Sequence, residues 1–330
     1  MEDWRERTEL QIGKEGVQKL ENASVAIIGL GGVGAFAAEM LCRAGVGSFI
    51  LADSDVIDIT NKNRQLPALD STIGRIKTEV IAERMRDINK DVKVKIISTY
   101  IEEDNLSAKL KLRRKDVAAE RGEAACGNVG ASDGAAEGGK AVCGNVGASE
   151  SMAEGGKAVC GNVGASESMA EGGKVVCGNV GASDGAAERG KVACGNVGAG
   201  EWNEVDFVVD AIDTLSPKIA LIQYCLQNKI PMVSSMGAGA KYDATKVRIA
   251  EIEKSFNCPL AYMLRKRLHK VGIRKGFKVV FSEEIPDKEA IIPCEGKNKK
   301  SRTGTLSYMP AVFGCVCAQA AIQHILSVDV

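Results

Sequence analysis

Apolar residues along the chain fall into short unbroken runs that alternate with longer stretches of helical spacing. Ser24 to Leu30 is β-branched with no polar alternation, which predicts a strand covered on both faces. Val33 to Ala44 follows as a helix ended by Gly45, and Phe49 to Ala52 as a second strand. Ile73 to Ile88 places Ile76, Val80, Ile81 and Ile88 at helical spacing, before a third strand at Val92 to Ile101 and a short helix from Leu106 to Leu112. Later come a strand at Asp206 to Asp210, a helix at Lys218 to Gln227 and a strand at Ile230 to Ser234. Beyond Gly239 the rhythm changes to strands at Val247 to Ile252 and Phe277 to Ser282, with a basic helix, Leu260 to Lys270, between them. Strands alternating with helices predict an α/β fold: a Rossmann-like, doubly wound, mainly parallel sheet with a mixed C-terminal extension.

Between 122 and 200 this pattern stops. The stretch holds 21 of the 37 glycines and no Leu, Ile, Phe, Tyr or Trp. Cys126-Gly-Asn-Val-Gly-Ala131 recurs from Cys143, Cys160, Cys177 and Cys194, a period of 17 residues. One copy offers too little apolar area to offset the entropy of ordering it, and glycine at this density opposes helix. The expectation is a disordered glycine-rich insertion, placed where a helix–strand connection tolerates length. A metal-binding thiol array has no ligand spacing behind it.

Charge narrows the partners. Lys+Arg 43 balances Asp+Glu 43. The insertion carries nine acidic and five basic residues, so the remaining body is slightly basic and any polyanion must be met by a local patch. Five of the eleven cysteines are the repeated one, and the other six include no C-x-x-C pair, as expected of reduced thiols. The charged start, Met1 to Leu10, does not read as a signal peptide. The longest apolar tract, Ala311 to Leu326, contains Gln319, Gln323 and His324 and is short for a membrane span. A cytoplasmic protein with no membrane partner is the expectation.

Candidate chemistry begins at Gly29-Leu-Gly-Gly-Val-Gly34, which follows a strand and opens a helix. Gly29, Gly31, Gly32 and Gly34 let the backbone turn tightly and approach phosphates met by the helix N-terminus. Asp53 closes the second strand, placed for ribose hydroxyls. These features indicate a nucleotide without separating NAD from ATP. Asn61-Lys-Asn-Arg64-Gln65 and Lys77 separate them: a nicotinamide enzyme needs no cation cluster beside its pyrophosphate, whereas an ATP α-phosphate under attack by a carboxylate does. Asp213, ending Asp210-Ala-Ile-Asp213, adds a carboxylate suited to Mg²⁺ at the same sheet edge. Each has an ordinary structural reading alone, Arg64 and Lys77 as solvated surface and Asp213 as a helix cap. Their order on successive strand ends is what makes the set specific.

With these motifs the sequence resembles the ubiquitin-activating-enzyme-like adenylyltransferases, which include the sulfur-carrier activators of thiamine and molybdopterin synthesis. Within them it is most similar to the bacterial branch that cyclises N6-threonylcarbamoyladenosine in tRNA. The resemblance covers residues 5–112 and 202–326. It rests on Arg7-Thr-Glu-Leu10, the glycine loop, Thr60 to Gln65, Asp210 to Asp213, Asn228-Lys-Ile-Pro231 and Gly237-Ala-Gly239. It implies that Asn61, Arg64 and Lys77 contact ATP phosphates, that Asp53 and Asp213 hold ribose and magnesium, and that Arg7 reaches a neighbouring subunit's site in a homodimer. Residues 1–121 and 201–330 then form two halves of one ATP-binding domain, the second carrying a basic substrate-binding extension, with 122–200 interrupting them. Leu66-Pro67 departs from the Ile-His common in the family.

The implied reaction is ATP-dependent adenylylation of the substrate carboxylate beside the anticodon, followed by closure of the carbamoyl nitrogen onto the activated carbonyl, releasing AMP and pyrophosphate. The chain has only His269 and His324 and shows no evident Cys-His or Ser-His pair, in keeping with chemistry that needs positioning and charge stabilisation. The sulfur-carrier activators commonly hold zinc with two C-x-x-C pairs, whose absence favours the tRNA branch; a sulfur-carrier-protein adenylyltransferase is the alternative reading and an NAD-dependent oxidoreductase a more distant one, and a sulfur-transfer or accessory protein is a candidate partner. Arg265, Lys266, Arg267, Lys270, Arg274, Lys275 and Lys278, with a second cluster at Lys297, Lys299, Lys300 and Arg302, are the candidate tRNA contacts.

Overall fold

The computed structural model describes residues 4–101, 105–115, 203–293 and 301–328, and the strand positions between 124 and 194. Two compact units separate, Met1–Arg114 with Asn203–Val330, and Lys115–Trp202. The first begins with α1 (Glu6–Asn22), β1 (Ser24–Ile28), α2 (Gly34–Ala44), β2 (Ser48–Ala52), α3 (Lys77–Ile88), β3 (Lys93–Ile97), α4 (Leu106–Leu110) and β4 (Leu112–Arg114). Nine strands, β5 to β13, lie between Ala124 and Cys194. The first unit resumes with β14 (Asn203–Val205), β15 (Phe207–Asp210), α5 (Leu215–Gln227), β16 (Met232–Ser235), β17 (Val247–Glu251), α6 (Pro259–Lys270), β18 (Lys278–Ser282), the hairpin β19 (Ile291–Pro293) and β20 (Ser301–Thr303), and α7 (Tyr308–Leu326).

Its central sheet has seven strands in the order β17-β18-β16-β15-β1-β2-β3. All pairs are parallel except β17 with β18, so the mixed extension falls where the sequence rhythm changes. The strands of the sheet centre are covered on both faces, as their unbroken apolar runs require. One face carries Val25, Ile27, Phe49 and Leu51 against α2 and α7; the other carries Ala26, Ile28, Val208 and Val279 against α5 and α6. The tract expected to be too short for a membrane is a 19-residue helix, long and apolar enough to cross one by length and composition. Here it is a core helix, with Met309, Phe313, Cys317 and Ala321 buried.

Several boundaries differ from the sequence reading for identifiable reasons. Strand β1 stops at Ile28 because Gly29 takes φ 92°. Residues 73–76 do not join α3, since Ile76 instead bridges Val56. The connection holding the insertion is flanked by a parallel pair, β4 with β14, that local periodicity did not reveal.

The second unit holds the stretch expected to be disordered, and its described strand positions pair as two parallel sheets, one of four strands and one of five. Every partner lies 17 residues away, so Cys126, Cys143, Cys160, Cys177 and Cys194 stand in one register column and Glu137, Glu154, Glu171 and Glu188 in another. The apolar content of one copy is indeed too small to order it alone. Pairing between copies changes the account, because each inner strand of the two sheets is paired on both sides by strands 17 residues away.

Candidate functional site

Strand β1 lies between β15 and β2, and the chain leaves it in opposite directions on its two sides, which opens a crevice at the C-terminal strand ends. A cavity of about 1140 Å³ occupies this edge and runs from the ends of β1 and β2 to the segment after β16. The four motif glycines play unequal parts. A Cβ on Gly29 would lie 2.8 Å from the Ala211 carbonyl oxygen, and one on Gly34 1.8 Å from the Gly29 oxygen, so both are needed for the protein's own chain to pass. Gly32 is closed in by Pro310 and the Arg64 carbonyl. Gly31 faces open space, its nearest neighbour being Gln65 Nε2 at 3.9 Å, which leaves room for a ligand. Val33 precedes α2 and gives no side-chain cap, so no side chain competes with an anion at the helix start, where the Ala35 N–H donates to the Gly31 carbonyl at 3.2 Å.

Around this loop the polar residues are tied down. Asp53 accepts the Leu30 N–H at 2.6 Å and the Asp55 N–H at 2.8 Å. Burial nevertheless pushes its carboxyl above the usual range, against the pull of Lys77 and those two amides. Asn61 ends a short turn and accepts the Asp58 N–H through Oδ1. Arg64 donates from Nη1 to the Thr60 carbonyl at 2.9 Å and to Asn63 Oδ1 at 2.7 Å. Lys77 is no solvated surface residue: it is 4% exposed and its Nζ meets Asp55 Oδ2 at 2.8 Å. Asp213 is exposed beyond β15, in a turn held from below by Asp210, whose Oδ1 accepts the Ile212 N–H. Asp210 is itself wholly buried and paired with Lys218 at 2.7 Å, and Ser234 donates to the same oxygen at 2.7 Å.

Gly29, Gly31, Gly32, Asp53, Asn61, Arg64, Lys77 and Asp213 all line the one cavity. Gly34 sits behind the loop, and Arg7 is exposed on α1 away from the lining. Neither histidine lines it: His269 is exposed on α6, and His324 rests against the Phe207 ring, its pKa lowered by burial first and by Arg114 second. Asp55 and Lys241, to which the sequence motifs assign nothing, also line the cavity, together with Gln65 of the Asn61–Gln65 run and Arg302, expected above as a tRNA contact. Gln65 Oε1 is buried without a hydrogen-bond partner. An orphaned acceptor beside an open glycine and two cations fits a polyphosphate-bearing ligand with its own hydroxyls. Among the described residues no cluster of three His, Cys, Asp or Glu could hold a metal by itself.

A switch-point crevice with a glycine loop, a buried carboxylate at the neighbouring strand end and cations from the next loop and helix defines a nucleotide-binding α/β protein. The chain belongs to the ThiF family, whose model matches residues 6–117 and 191–329. It is 30% identical to the tRNA threonylcarbamoyladenosine dehydratase of Bacillus subtilis, over 97% of this chain and 93% of that one. With the enzyme of that name from Escherichia coli it shares 27% identity over 98% of this chain and 95% of the other. The crystal structure of the Escherichia coli enzyme in complex with ATP superposes with a TM-score of 0.64 at 26% identity, covering 98% of this chain and 95% of that one.

Proposed function

We propose that this protein is an ATP-dependent tRNA threonylcarbamoyladenosine dehydratase, which adenylylates the substrate carboxylate and closes the ring with release of AMP and pyrophosphate. The observation that carries the reading is the convergence of Asn61, Arg64, Lys77, Asp53 and Asp213 on one cavity with the glycine loop, in a chain whose full-length relatives carry that activity in their names. Lys77 and Arg64 supply fixed positive charge where negative charge grows on the α-phosphate and the departing pyrophosphate, in a site that needs no reorganisation at that moment. Asp53 takes the ribose hydroxyls. Asp213 would hold Mg²⁺ through its one carboxylate, and the ion would supply charge neutralisation at the phosphates.

The partners follow from the surfaces. Lys266, Arg267, Lys270, Arg274, Lys275 and Lys278 are exposed on and after α6, a basic face for tRNA phosphates. Arg7, outside its own cavity, is assigned to the site of a second subunit in a homodimer working in the cytoplasm. The test is mass spectrometry of nucleosides from N6-threonylcarbamoyladenosine-containing tRNA after incubation with ATP, Mg²⁺ and the protein. A dehydrated, cyclic nucleoside that appears only with ATP is expected; unchanged tRNA with ATP consumed on a small Gly-Gly-tailed protein would replace this reading by the sulfur-carrier one.

A further inference from the structure

Lys241 is 3% exposed and lines the cavity, yet has no carboxylate within ion-pair distance among the described residues. Among the described residues its Nζ makes one hydrogen bond, to the Gly237 carbonyl at 2.8 Å, which leaves two of three ammonium donors without an acceptor there. Burying an ammonium so incompletely paired is costly, and such groups are retained where a ligand completes them. The local backbone enforces the placement. Ala240 takes φ 57°, its N–H donates to the Gly304 carbonyl at 2.8 Å, and its own carbonyl accepts from Asp287. Gly239 lies so close to the hairpin that a Cβ there would meet Thr303 at 2.6 Å. The same hairpin end touches the cation loop, because Asn63 Nδ2 donates to the Thr305 carbonyl at 3.1 Å.

Sheet order then says which end of the ligand Lys241 meets. Reading β2, β1, β15, β16, the strand ends present Asp53, the glycine loop, Asp213 and the Gly237–Lys241 segment in turn. A nucleotide with its ribose at Asp53 and its phosphates at the glycine loop and Asp213 leaves the β16 end for whatever attacks the α-phosphate.

We propose that Lys241 is the residue that holds the substrate's carboxylate, and later the acyl oxygen, at the β16 end of the cavity. The inference rests on the function proposed above. In the first step one carboxylate oxygen bonds to the α-phosphorus and pyrophosphate leaves, while the other oxygen stays on Lys241. In the second the carbamoyl nitrogen's lone pair attacks the acyl carbon, negative charge collects on that second oxygen, the bond to AMP breaks, and the nitrogen's proton passes to the departing AMP phosphate. Burial keeps the free enzyme's Lys241 pKa below the ordinary lysine value, partly offset by Cys258 and Glu284. The group therefore loses its charge at a lower pH than a surface lysine as pH rises, and an anion bound beside it is lost with that charge.

The experiment compares wild type, Lys241→Met and Lys241→Arg in single-turnover cyclisation of the modified tRNA, alongside ATP affinity, melting temperature and the pH dependence of kcat/KM. Lys241→Met should keep ATP affinity and melt no lower than wild type, yet cyclise ~10²–10³-fold more slowly, the usual loss for one preorganised donor at a developing oxyanion. Its kcat/KM should also lack the alkaline fall expected of wild type, because that profile reports the free enzyme. Lys241→Arg should recover part of the rate. Wild-type cyclisation by Lys241→Met overturns the proposal. So does a matching loss of ATP affinity, which would assign Lys241 to the nucleotide, or a rate loss that vanishes when scaled to the folded fraction. If wild type itself cyclises nothing, the proposed function falls first and this inference with it.

Discussion

The seven-stranded sheet of the body and the two sheets of the insertion meet the same demand, a partner for every backbone group, by opposite means. In the body almost every strand differs from its neighbours, and pairing is specified by apolar runs such as Val25–Ile28 and Phe49–Ala52 packed under different helices. In the insertion each strand pairs with a near copy of itself, and Lys140, Lys157, Lys174 and Lys191 fall into one register because the sequence repeats. The body takes its stability from unlike contacts, any of which can fail at one residue. A stack of like contacts has few single points of failure.

The comparison breaks most visibly at Gly34. Gly34→Ala puts a Cβ 1.8 Å from the Gly29 oxygen, in backbone that cannot yield, so a stability loss of more than ~4 kcal/mol and loss of ATP binding are expected. Denaturant unfolding and nucleotide titration read both, and a normal melting curve with normal ATP affinity would show that the loop has slack. Lys218→Met comes next. It leaves the fully buried Asp210 without its 2.7 Å partner, and removing one member of such a pair costs about 3–5 kcal/mol. Lys218→Met together with Asp210→Leu should recover much of that loss if the damage comes from the unpaired charge.

Arg64→Ala and Lys77→Met should each slow adenylylation ~10²–10³-fold, measured as ATP–pyrophosphate exchange. Arg64 is half-buried at a loop edge, so its loss should move stability by under ~0.5 kcal/mol. Lys77→Met keeps the buried stem while freeing Asp55, which is 64% exposed and can be solvated. Wild-type exchange in either variant would remove the ATP-site assignment.

The smallest effect belongs to the insertion. Joining 121 to 201 by a short flexible linker leaves Lys115–Arg121 and Glu201–Trp202 to connect β4 to β14, a parallel pair whose crossover needs about a dozen residues. None of the candidate site residues is removed, so the melting temperature of the body and the cyclisation rate should stay at the full-length values. The difference between full-length and deletion circular dichroism should be a β spectrum. A coil-like difference would return the insertion to the sequence reading, and lost activity would place it in the substrate's path.

Local signals made much of this legible in the sequence. The glycine loop, Asp53, the Asn61–Gln65 run, Lys77 and Asp213 each follow directly on a strand end or open a helix, so strand recognition was enough to gather them at one edge. Lys241 was not legible, since its burial depends on Ala240 adopting a left-handed turn and on a hairpin 50 or more residues away. Nor was the companion of Lys77, because Asp55 reaches it only once the β2 end and α3 lie side by side. Helix α1 escaped notice because only Gly16, Val17 and Leu20 are buried along it. Strand pairing in the insertion is not legible in one copy, because the pairs form between copies 17 residues apart.

Pairing at a constant offset also makes the length of the insertion a quantity that comes in whole steps. If a copying error in the encoding DNA drops or duplicates one unit in frame, every strand still finds its match 17 residues away, and each sheet becomes about 4.8 Å shorter or taller by one strand. Nothing in the register of β4 with β14 has to change. Allelic forms of this protein can therefore differ in repeat number while sharing one unaltered catalytic body, and the molecular mass of the insertion becomes a count of inherited copies.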